Sequence, residues 1–519
     1  MILIASGAII SREFQAEFGP LPPAFLPLGN KRLFEHQAQR LRQAFPGESL
    51  YMSLPEKFEI QRHDQLLLDK WQIVQVKVPN DISLGASVLH VINTLGVYEG
   101  CLRHLHGDTL LINFPDGKDL IGLGYVADDY SWEIEDTNQA QIAAWCGYFS
   151  FSDIKKLATS LALKKGSFID AVRHYRSVQP MQSHMSTDWV DLGHINTFYR
   201  SRGAFTTERP FNQLQISDGV VRKSGNHKLK IFAEGYWFQK LPRKLKKYVP
   251  QVIDFGHEDG EVYYELEHLP YPSLAELYVF GALPLAHWKK IFHLANQLLG
   301  EFATEIHLNP ETRQQIRQDF NWLVHAKTCE RLKAYQETSG RAMHVVHELN
   351  GQQLPCLNDI LTHCQRAIEE QDELHGVSHG DFCFGNILYD ARQDRLKLID
   401  PRGLAGAKGK ATVLGDLRYD IAKLSHSAVG LYDHIVTGRY ILHIKGLYKF
   451  EFTVDVDCKT EAITKNFLNF RFQGRFVVDT LPLVVLLFLS MLPLHEDDAR
   501  RQTALYVNAL RIYALWQKI

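Results

Sequence analysis

An acid and an amide stand five residues apart in the stretch HGDFCFGN, residues 379–386. A second acid, Asp400, follows Asn386 by fourteen residues, at the end of the apolar run LKLID. Phosphoryl transfer needs a carboxylate that orients the attacking hydroxyl and takes its proton, and oxygen ligands that hold magnesium against the nucleotide phosphates. We therefore assign Asp381 as the base and Asn386 and Asp400 as Mg²⁺ ligands.

Each of these side chains also has a structural explanation. His379 and Asp381 could close a turn through hydrogen bonds, and Asp400 could cap a strand. That explanation is sufficient for any one residue, but it does not account for the ordered series of base, amide and strand-end acid. The series favours a phosphoryl-transfer site.

The segments HGDFCFGNILYD and LIDPRG resemble the aminoglycoside phosphotransferase and choline kinase family. The resemblance implies an α+β, protein-kinase-like fold and ATP-dependent phosphorylation of a hydroxyl on a small molecule. GDLRYDIAKLSHS, residues 415–427, is similar to the family's next segment, in which an aspartate at a helix start steadies the catalytic loop. Asp416 and Asp420 are the candidates for that role. Arg402 is a candidate contact for the acceptor or the transferred phosphate.

An ion pair that positions nucleotide phosphates is predicted further upstream. Residues 214–242 read as strand, turn, strand and helix, with Lys223 on the second strand and Glu234 eleven residues later on the helix. The two residue types are common on surfaces, so the pairing alone could be chance, but the downstream motif favours the kinase interpretation. Backbone groups around Glu267 and Leu269, in the predicted hinge, would then bind adenine.

The nature of the acceptor is left open by the sequence. The acids of HEDDARRQ, residues 495–502, would suit a cationic acceptor, yet a solvated helix start explains them as well. The oligomeric state is equally unreadable.

Length and composition restrict the remaining possibilities. At 519 residues the chain is too long for one ordinary core, so two or three domains are expected. Its 57 Lys and Arg balance 59 Asp and Glu, which predicts no surface for nucleic acid or an anionic membrane. The seven cysteines form no C-x-x-C pair, so neither zinc nor disulfides are indicated. The longest apolar run, residues 481–494, is short for a membrane span and predicts a buried helix in a cytoplasmic protein.

The first two hundred residues alternate apolar strands with amphipathic helices. Strands are predicted at MILIAS, SLYMSL, WQIVQVKV and DTLLIN, and helices at KRLFEHQAQRLRQAF and SLGASVLHVINTLG. This alternation predicts an α/β domain whose mainly parallel sheet is covered by helices on both faces. Ligands of such sheets bind at the carboxyl ends of the strands.

This half also carries a family resemblance, in the order and spacing of ASGAIISR, PPAFLPLGNKRLFEHQ, HGDTLLIN and DWVDLGHINTFYRSR. They resemble the nucleotidyltransferases that make nucleotide sugars and CDP-choline-like compounds, which have a Rossmann-like fold and exchange pyrophosphate for a phosphorylated metabolite. The resemblance places Arg12 on the phosphate-neutralising arginine and Asp108 and Asp191 on the two magnesium-binding aspartates. A turn before a strand and a helix cap are the plain alternatives for the two acids.

Leu84, Gly85 and Ala86 resemble the same family's base-contacting loop, where a glycine lets the backbone approach the ring. An ordinary helix start explains them equally well.

The first loop departs from the family. It should be rich in glycine so that N–H groups approach phosphate, yet it retains only Gly7. Pro23 replaces the family's lysine, and Lys31 lies nearby but at a different position. The loss of that lysine leaves two interpretations open, a nucleotidyltransferase or a domain that binds a nucleotide without turnover.

We expect two domains, a nucleotidyltransferase-like domain over 1–205 and a kinase domain over 211–519, with an N-lobe at about 211–270 and a helical C-lobe at about 271–519. GAFTTERP, residues 203–210, is the predicted boundary. The leading hypothesis is a bifunctional enzyme that phosphorylates a small metabolite with ATP and Mg²⁺ and then joins the product to CTP or another NTP. The families involved suggest the supply of capsule or surface-polysaccharide precursors. A kinase with a degenerate N-terminal domain and a pseudoenzyme scaffold are the alternatives.

Overall fold

The computed structural model describes residues 1–126, 128, 130–135, 141–206, 213–225, 227–258 and 260–519. The chain forms two compact units. The first runs from Met1 to Thr206 and includes Phe280–Ala282. The second comprises Thr207–Val279 and Leu283–Ile519. Residues 207–212, which include half of the predicted boundary segment, lie outside the described part of the chain.

The first unit alternates strands and helices along the chain. Its strands are β1 (Ile2–Ala5), β2 (Pro27–Leu28), β3 (Lys31–Arg32), β4 (Leu50–Pro55), β5 (Ile73–Val78), β6 (Leu102–His106), β7 (Thr109–Leu111), β8 (Leu120–Tyr125), β9 (Ile134–Glu135), β10 (Ala143–Phe151), β11 (Gln182–Met185) and β12 (Trp189–Asp191). Its helices are α1 (Arg12–Phe18), α2 (Leu33–Ala44), α3 (Arg62–Lys70), α4 (Leu84–Leu95), α5 (Ile154–Leu163), α6 (Phe168–Val178) and α7 (Ile195–Thr206).

One sheet organises this unit, with strand order β11-β8-β10-β6-β1-β4-β5. Every pairing in that order is parallel except the two that β10 makes with β6 and β8. The four residues of β1 are all buried, because a central parallel strand has both faces covered. The predicted α/β class with a large, mainly parallel sheet is confirmed.

The strand predicted in DTLLIN is present as β7, but it pairs with β12 outside the main sheet. The strand that belongs to the main sheet is the preceding one, β6. Its sequence, LRHLH, lacks the pattern of a buried strand because Arg103 and His104 are polar, yet both are buried.

The second unit opens with a four-stranded antiparallel sheet of order β13-β14-β16-β15, and helices dominate the rest. Its strands are β13 (Gln213–Ser217), β14 (Val220–Ser224), β15 (Val252–Glu258), β16 (Glu261–Glu267), β17 (His347–Leu349), β18 (Gln352–Leu354), β19 (His375–Val377), β20 (Ile387–Asp390), β21 (Arg395–Leu398), β22 (Leu404–Ala405), β23 (Lys410–Ala411), β24 (Leu414–Asp416), β25 (Tyr440–Gly446), β26 (Lys449–Val454), β27 (Arg471–Phe472) and β28 (Arg475–Phe476). Its helices are α8 (Lys228–Lys240), α9 (Leu274–Val279), α10 (Leu285–Thr304), α11 (Pro310–Asn321), α12 (Lys327–Ser339), α13 (Leu357–Glu369), α14 (Leu417–Ala428), α15 (Tyr432–Val436), α16 (Cys458–Leu468), α17 (Leu481–Ser490) and α18 (Ala499–Trp516).

The region predicted as a helical C-lobe also contains strands. A second four-stranded sheet, of order β18-β17-β26-β25, lies among its helices. β26 alternates exposed and buried residues along KFEFTV, which is the period-two pattern of a half-buried strand. α17 is buried over its first nine residues, as predicted for its apolar run. Across the part of the chain that the structure describes, no helix has both the length and the apolar character required to cross a bilayer.

A long helical segment in this unit changes its winding midway. α11 continues through a π-helical turn, Trp322–Ala326, directly into α12. π-helical turns are rare. Those that interrupt α-helices are frequently found at functional sites.

Candidate active site

A hairpin brings the predicted metal ligands together. The catalytic loop ends at Asn386, where β20 begins, and β21 returns antiparallel with Ile387 opposite Leu398. The amide N–H of Ile399 donates to the carbonyl of Asn386 at 3.0 Å. The thirteen residues between Asn386 and Asp400 therefore form a hairpin that brings these two residues close together.

Asp381 is held by the amide of Asn386 and by a lysine from another element. The Nδ2 of Asn386 donates to the carbonyl oxygen of Asp381 at 2.9 Å and to its Oδ2 at 3.1 Å. Lys423 Nζ, on α14, lies 2.7 Å from Asp381 Oδ1, and the two side chains are 15% and 37% exposed. Burial alone would raise the pKa of Asp381, but Lys423 and Arg402 hold it well below its usual range. The Asp381 carboxylate is therefore ionised at neutral pH, and its side chain stays partly exposed.

The loop that carries Asp381 is held in place by a residue of α14. Asp420 accepts the backbone N–H of His379 at 3.0 Å and that of Gly380 at 2.7 Å. Asp416 instead caps α14 and pairs with Arg418. Of the two candidates for steadying the loop, Asp420 makes the contact.

His379 is a structural member of the loop. Its side chain is buried, and its Nε2 donates to the carbonyl of Ile399 at 3.0 Å. Burial lowers the pKa of His379 to about 4, so the imidazole is neutral at physiological pH. It links the loop to the strand end that carries Asp400.

The predicted lysine–glutamate pair forms and extends to Asp400. Lys223 Nζ donates to Glu234 Oε2 at 2.7 Å and to Asp400 Oδ1 at 3.0 Å. Tyr264 donates its hydroxyl to the same Glu234 oxygen at 2.8 Å. Burial alone would lower the pKa of Lys223, but Asp400 and Glu234 raise it above its ordinary value, so the ammonium stays charged.

Asp400 has an unusual backbone. Its φ is 53°, in the left-handed region that residues other than glycine rarely occupy. Such strain is found where the surrounding structure imposes a side-chain position, often in functional sites.

The predicted hinge offers one backbone donor. The N–H of Glu267 is used by the carbonyl of Gln251 at 2.9 Å, and the Leu269 carbonyl accepts from Tyr271 at 2.9 Å. Within the described ranges the N–H of Leu269 has no hydrogen-bond partner. Of the two hinge residues, Leu269 is thus the one with a group left for adenine.

The donors near Asp381 suit magnesium. The amide nitrogen of Asn386 is occupied by Asp381, which leaves its carbonyl oxygen as the ligand atom, and Asp400 supplies a carboxylate. Mg²⁺ prefers such oxygens and is commonly held by one or two protein groups together with phosphates and water. No cluster of three or more His, Cys, Asp or Glu side chains suited to a metal occurs among the described residues.

Three cationic residues near this site were not predicted from the sequence: Lys423, Lys327 and Arg331. Lys423 stands three residues after Asp420, so both lie on one face of α14. A lysine between the apolar residues of IAKL, one helical turn after Asp420, was the available signal. Lys327 and Arg331 lie on α12, far from any motif, so no sequence pattern indicated them.

Asp108 and Asp191 are brought together in the first unit. β12 pairs with β7 so that Asp191 lies opposite Thr109, the residue after Asp108. The N–H of Leu192 also donates to the carbonyl of Asp108 at 3.0 Å. Burial raises the pKa of the Asp108 carboxyl, and the negative charge of Asp191 adds to that effect.

Asp191 is also engaged by its own turn. Its Oδ2 is 2.9 Å from Nδ1 of His194 and accepts the hydroxyl of Thr197, while its Oδ1 accepts the N–H of Gly193 at 3.2 Å. These bonds support the helix-cap alternative. They do not displace Asp191 from the neighbourhood of Asp108.

The remaining predicted residues of this unit are dispersed. Arg12 and Lys31 are exposed, at the start of α1 and in β3. Gly7 follows β1, and a Cβ there would meet Ser87 Oγ at 2.6 Å.

The helix start at Leu84, Gly85 and Ala86 packs against its own domain. A Cβ on Gly85 would lie 2.3 Å from the carbonyl oxygen of Gly166. Ser83 caps the helix by accepting from Ala86 N, and its hydroxyl donates to the same Gly166 carbonyl at 2.7 Å. This close approach gives Gly85 a packing explanation that needs no ligand.

Neither a protein-family profile nor a curated protein matches the sequence. Among solved structures, the N-terminal portion is similar to the nucleoside-diphosphate-sugar pyrophosphorylase of Vibrio cholerae RC9, with 14% identity, a TM-score of 0.33, and coverage of 39% of this chain and 99% of that one. HddC from Yersinia pseudotuberculosis is similar with 16% identity, a TM-score of 0.31, and coverage of 39% and 98%. The larger part is similar to a thermostable mutant of aminoglycoside phosphotransferase APH(4)-Ia, with 11% identity, a TM-score of 0.34, and coverage of 58% and 94%.

Proposed function

We propose that the second unit is an ATP-dependent kinase that phosphorylates a hydroxyl of a small molecule. The observation that carries this proposal is the continuous set of contacts from Glu234 through Lys223 to Asp400, beside Asn386 and an ionised Asp381. Phosphoryl transfer depends on positioning and on charge stabilisation, and these contacts supply both.

The residues divide the work of the reaction. The acceptor oxygen forms a bond to the γ-phosphorus, the bond from that phosphorus to the β-bridging oxygen breaks, and ADP leaves. Asp381 orients the acceptor hydroxyl and takes its proton, while Lys223 binds the nucleotide phosphates. Asn386 and Asp400 would hold Mg²⁺, which neutralises phosphate charge when bound.

A direct assay tests this function. The protein is incubated with ATP, Mg²⁺ and a panel of polyols, sugars, amino alcohols and hydroxy acids, and phosphorylated product is measured. We expect turnover that Asp381→Ala abolishes while ATP binding persists. Absence of turnover on the whole panel, together with absence of ATP–Mg²⁺ binding, would reject the kinase.

We further propose that the first unit joins the phosphorylated product to a nucleotide and releases pyrophosphate. The proximity of Asp108 and Asp191 supports this, because two carboxylates can hold the metal that a nucleoside triphosphate requires. Such coupling is chemically consistent, since the product of one step is a substrate of the other. The test supplies each phosphorylated product with CTP, UTP, GTP or dTTP and measures pyrophosphate, which Asp108→Asn should abolish. Nucleotide binding without pyrophosphate release would instead identify a binding domain.

A further inference from the structure

Four cationic side chains of the second unit lie near one another, and among the described residues only one of the four has an acidic ion-pair partner. Lys423 pairs with Asp381. The other three are Arg402, Lys327 and Arg331. For none of these three does the described part of the chain place a carboxylate within 4.0 Å, the limit for an ion pair. Charged groups that are partly withdrawn from water normally have a partner of opposite charge.

Arg402 is held firmly beside the catalytic loop. Its N–H donates to the carbonyl of His379 at 2.9 Å, and a Cβ on Gly380 would lie 2.8 Å from the Arg402 Cβ. Its Nη2 donates to the hydroxyl of Tyr419 at 2.7 Å, and its guanidinium lies over the Tyr419 ring at 4.5 Å. Tyr419 thus orients the guanidinium without neutralising it.

Lys327 and Arg331 face the same region from α12. They are four residues apart, so they lie on one face of the helix, immediately after the π-helical turn. Arg331 is fixed by a bond from its Nη1 to the carbonyl of Ser490 at 3.0 Å. Burial is the main cause that lowers the pKa of Lys327 to about 8, and the nearby positive charges of Arg402 and Arg331 add to it.

This cluster is separate from the groups that would bind the nucleotide. Lys223 pairs with Glu234 and Asp400. Two of the three acids that would suit a cationic acceptor are engaged elsewhere, because Asp498 caps α18 and Asp497 pairs with Arg501.

We propose that the acceptor is an anion, a small hydroxylated molecule whose carboxylate or phosphate group is bound by Lys327, Arg331 and Arg402. This inference rests on the proposed kinase function and specifies its substrate class. The anionic group offsets the repulsion among the three cations, while the hydroxyl of the same molecule reaches Asp381. Neutral polyols lack the first interaction, and amino alcohols add a further positive charge.

A matched set of three-carbon probes tests the charge preference. Glycerol, D-glycerate, glycerol 3-phosphate and 2-amino-1,3-propanediol differ in charge but share a hydroxylated chain. Phosphorylation is measured with ATP and Mg²⁺, and binding to the full-length protein is measured by thermal shift with and without ATP. We expect the anions to bind at least tenfold more tightly than glycerol. The ratio between D-glycerate and glycerol 3-phosphate distinguishes a carboxylate site from a phosphate site.

Variants assign that preference to the cluster. Lys327→Met with Arg331→Met should abolish the difference between the anions and glycerol, while the affinity for ATP changes by less than twofold. Lys333→Met, an exposed lysine of the same helix, is the matched control and should behave as the wild type. Equal or tighter binding of glycerol or the amino alcohol, or an anion preference that survives the double variant, would overturn the inference. In either case ATP binding and Asp381-dependent turnover would still report separately on the kinase.

Discussion

Lys423 Nζ lies 2.7 Å from Oδ1 of Asp381, so the base of the candidate kinase site carries its own counter-cation. The lysine comes from α14, whose Asp420 also holds the loop that bears the base. One helix therefore fixes both the position and the ionisation of Asp381.

Removal of that cation should slow the chemical step. In Lys423→Met we expect kcat to fall by about 10- to 100-fold, with the KM for ATP nearly unchanged, because Asp381 loses its orienting partner. Lys423→Arg should recover part of the loss. The exposed Lys465→Met serves as the control in steady-state kinetics. A rise in the KM for ATP at constant kcat would assign Lys423 to nucleotide binding instead.

Loss of the buried ion pair between Lys223 and Glu234 should weaken ATP binding. Glu234→Gln leaves Lys223 with Asp400 as the one acid that the described residues place beside it, so we expect the KM for ATP to rise about tenfold, and further in Lys223→Met. Lys228→Met removes exposed contacts only, a pair with Glu261 and a hydrogen bond to the Gly260 carbonyl, and should change this KM by less than twofold. Equal effects of the buried and exposed substitutions would contradict the assignment.

Asp420→Ala should uncouple the catalytic loop from α14. Two buried N–H groups would lose their acceptor, at about 1–3 kcal/mol each, so urea denaturation should show a lower free energy of unfolding for the second unit. We expect kcat to fall with it. A stability loss with unchanged kcat would limit Asp420 to folding.

Lys327 predicts a pH dependence for acceptor binding. Its pKa is lowered to about 8, so the free protein loses this positive charge as the pH rises through that value. For an anionic acceptor we expect kcat/KM to fall over the same range, since Arg402, Arg331 and Lys423 keep their charges there. The fall should be absent in Lys327→Met, measured from pH 6.5 to 9.5.

Gly85→Ala separates packing from ligand contact in the first unit. The new Cβ would meet the Gly166 carbonyl, so we expect a destabilisation of about 1–3 kcal/mol in thermal or urea unfolding. Normal stability with impaired nucleotide binding would favour the base-contacting interpretation.

The sequence predicted the parts of the site that lie close together along the chain. Asp381, Asn386 and Asp400 are joined by one short hairpin, so their spacing alone indicated their proximity. Lys423, Lys327 and Arg331 were missed because tertiary packing brings them to the site. β6 was missed because its buried histidine and arginine conceal the apolar pattern on which strand prediction depends.

The π-helical turn determines how the candidate acceptor site responds to a change of one residue in chain length. Such a turn contains one residue more than the α-helical path it replaces. A deletion of one residue within Trp322–Ala326 would therefore restore regular α-helical winding, and Lys327 and Arg331 would keep the helix face that they occupy. The same change in a regular α-helix would rotate every following side chain by about 100°. The π-helical turn thus allows the chain ahead of α12 to differ in length by one residue without moving the two cations away from the candidate acceptor site.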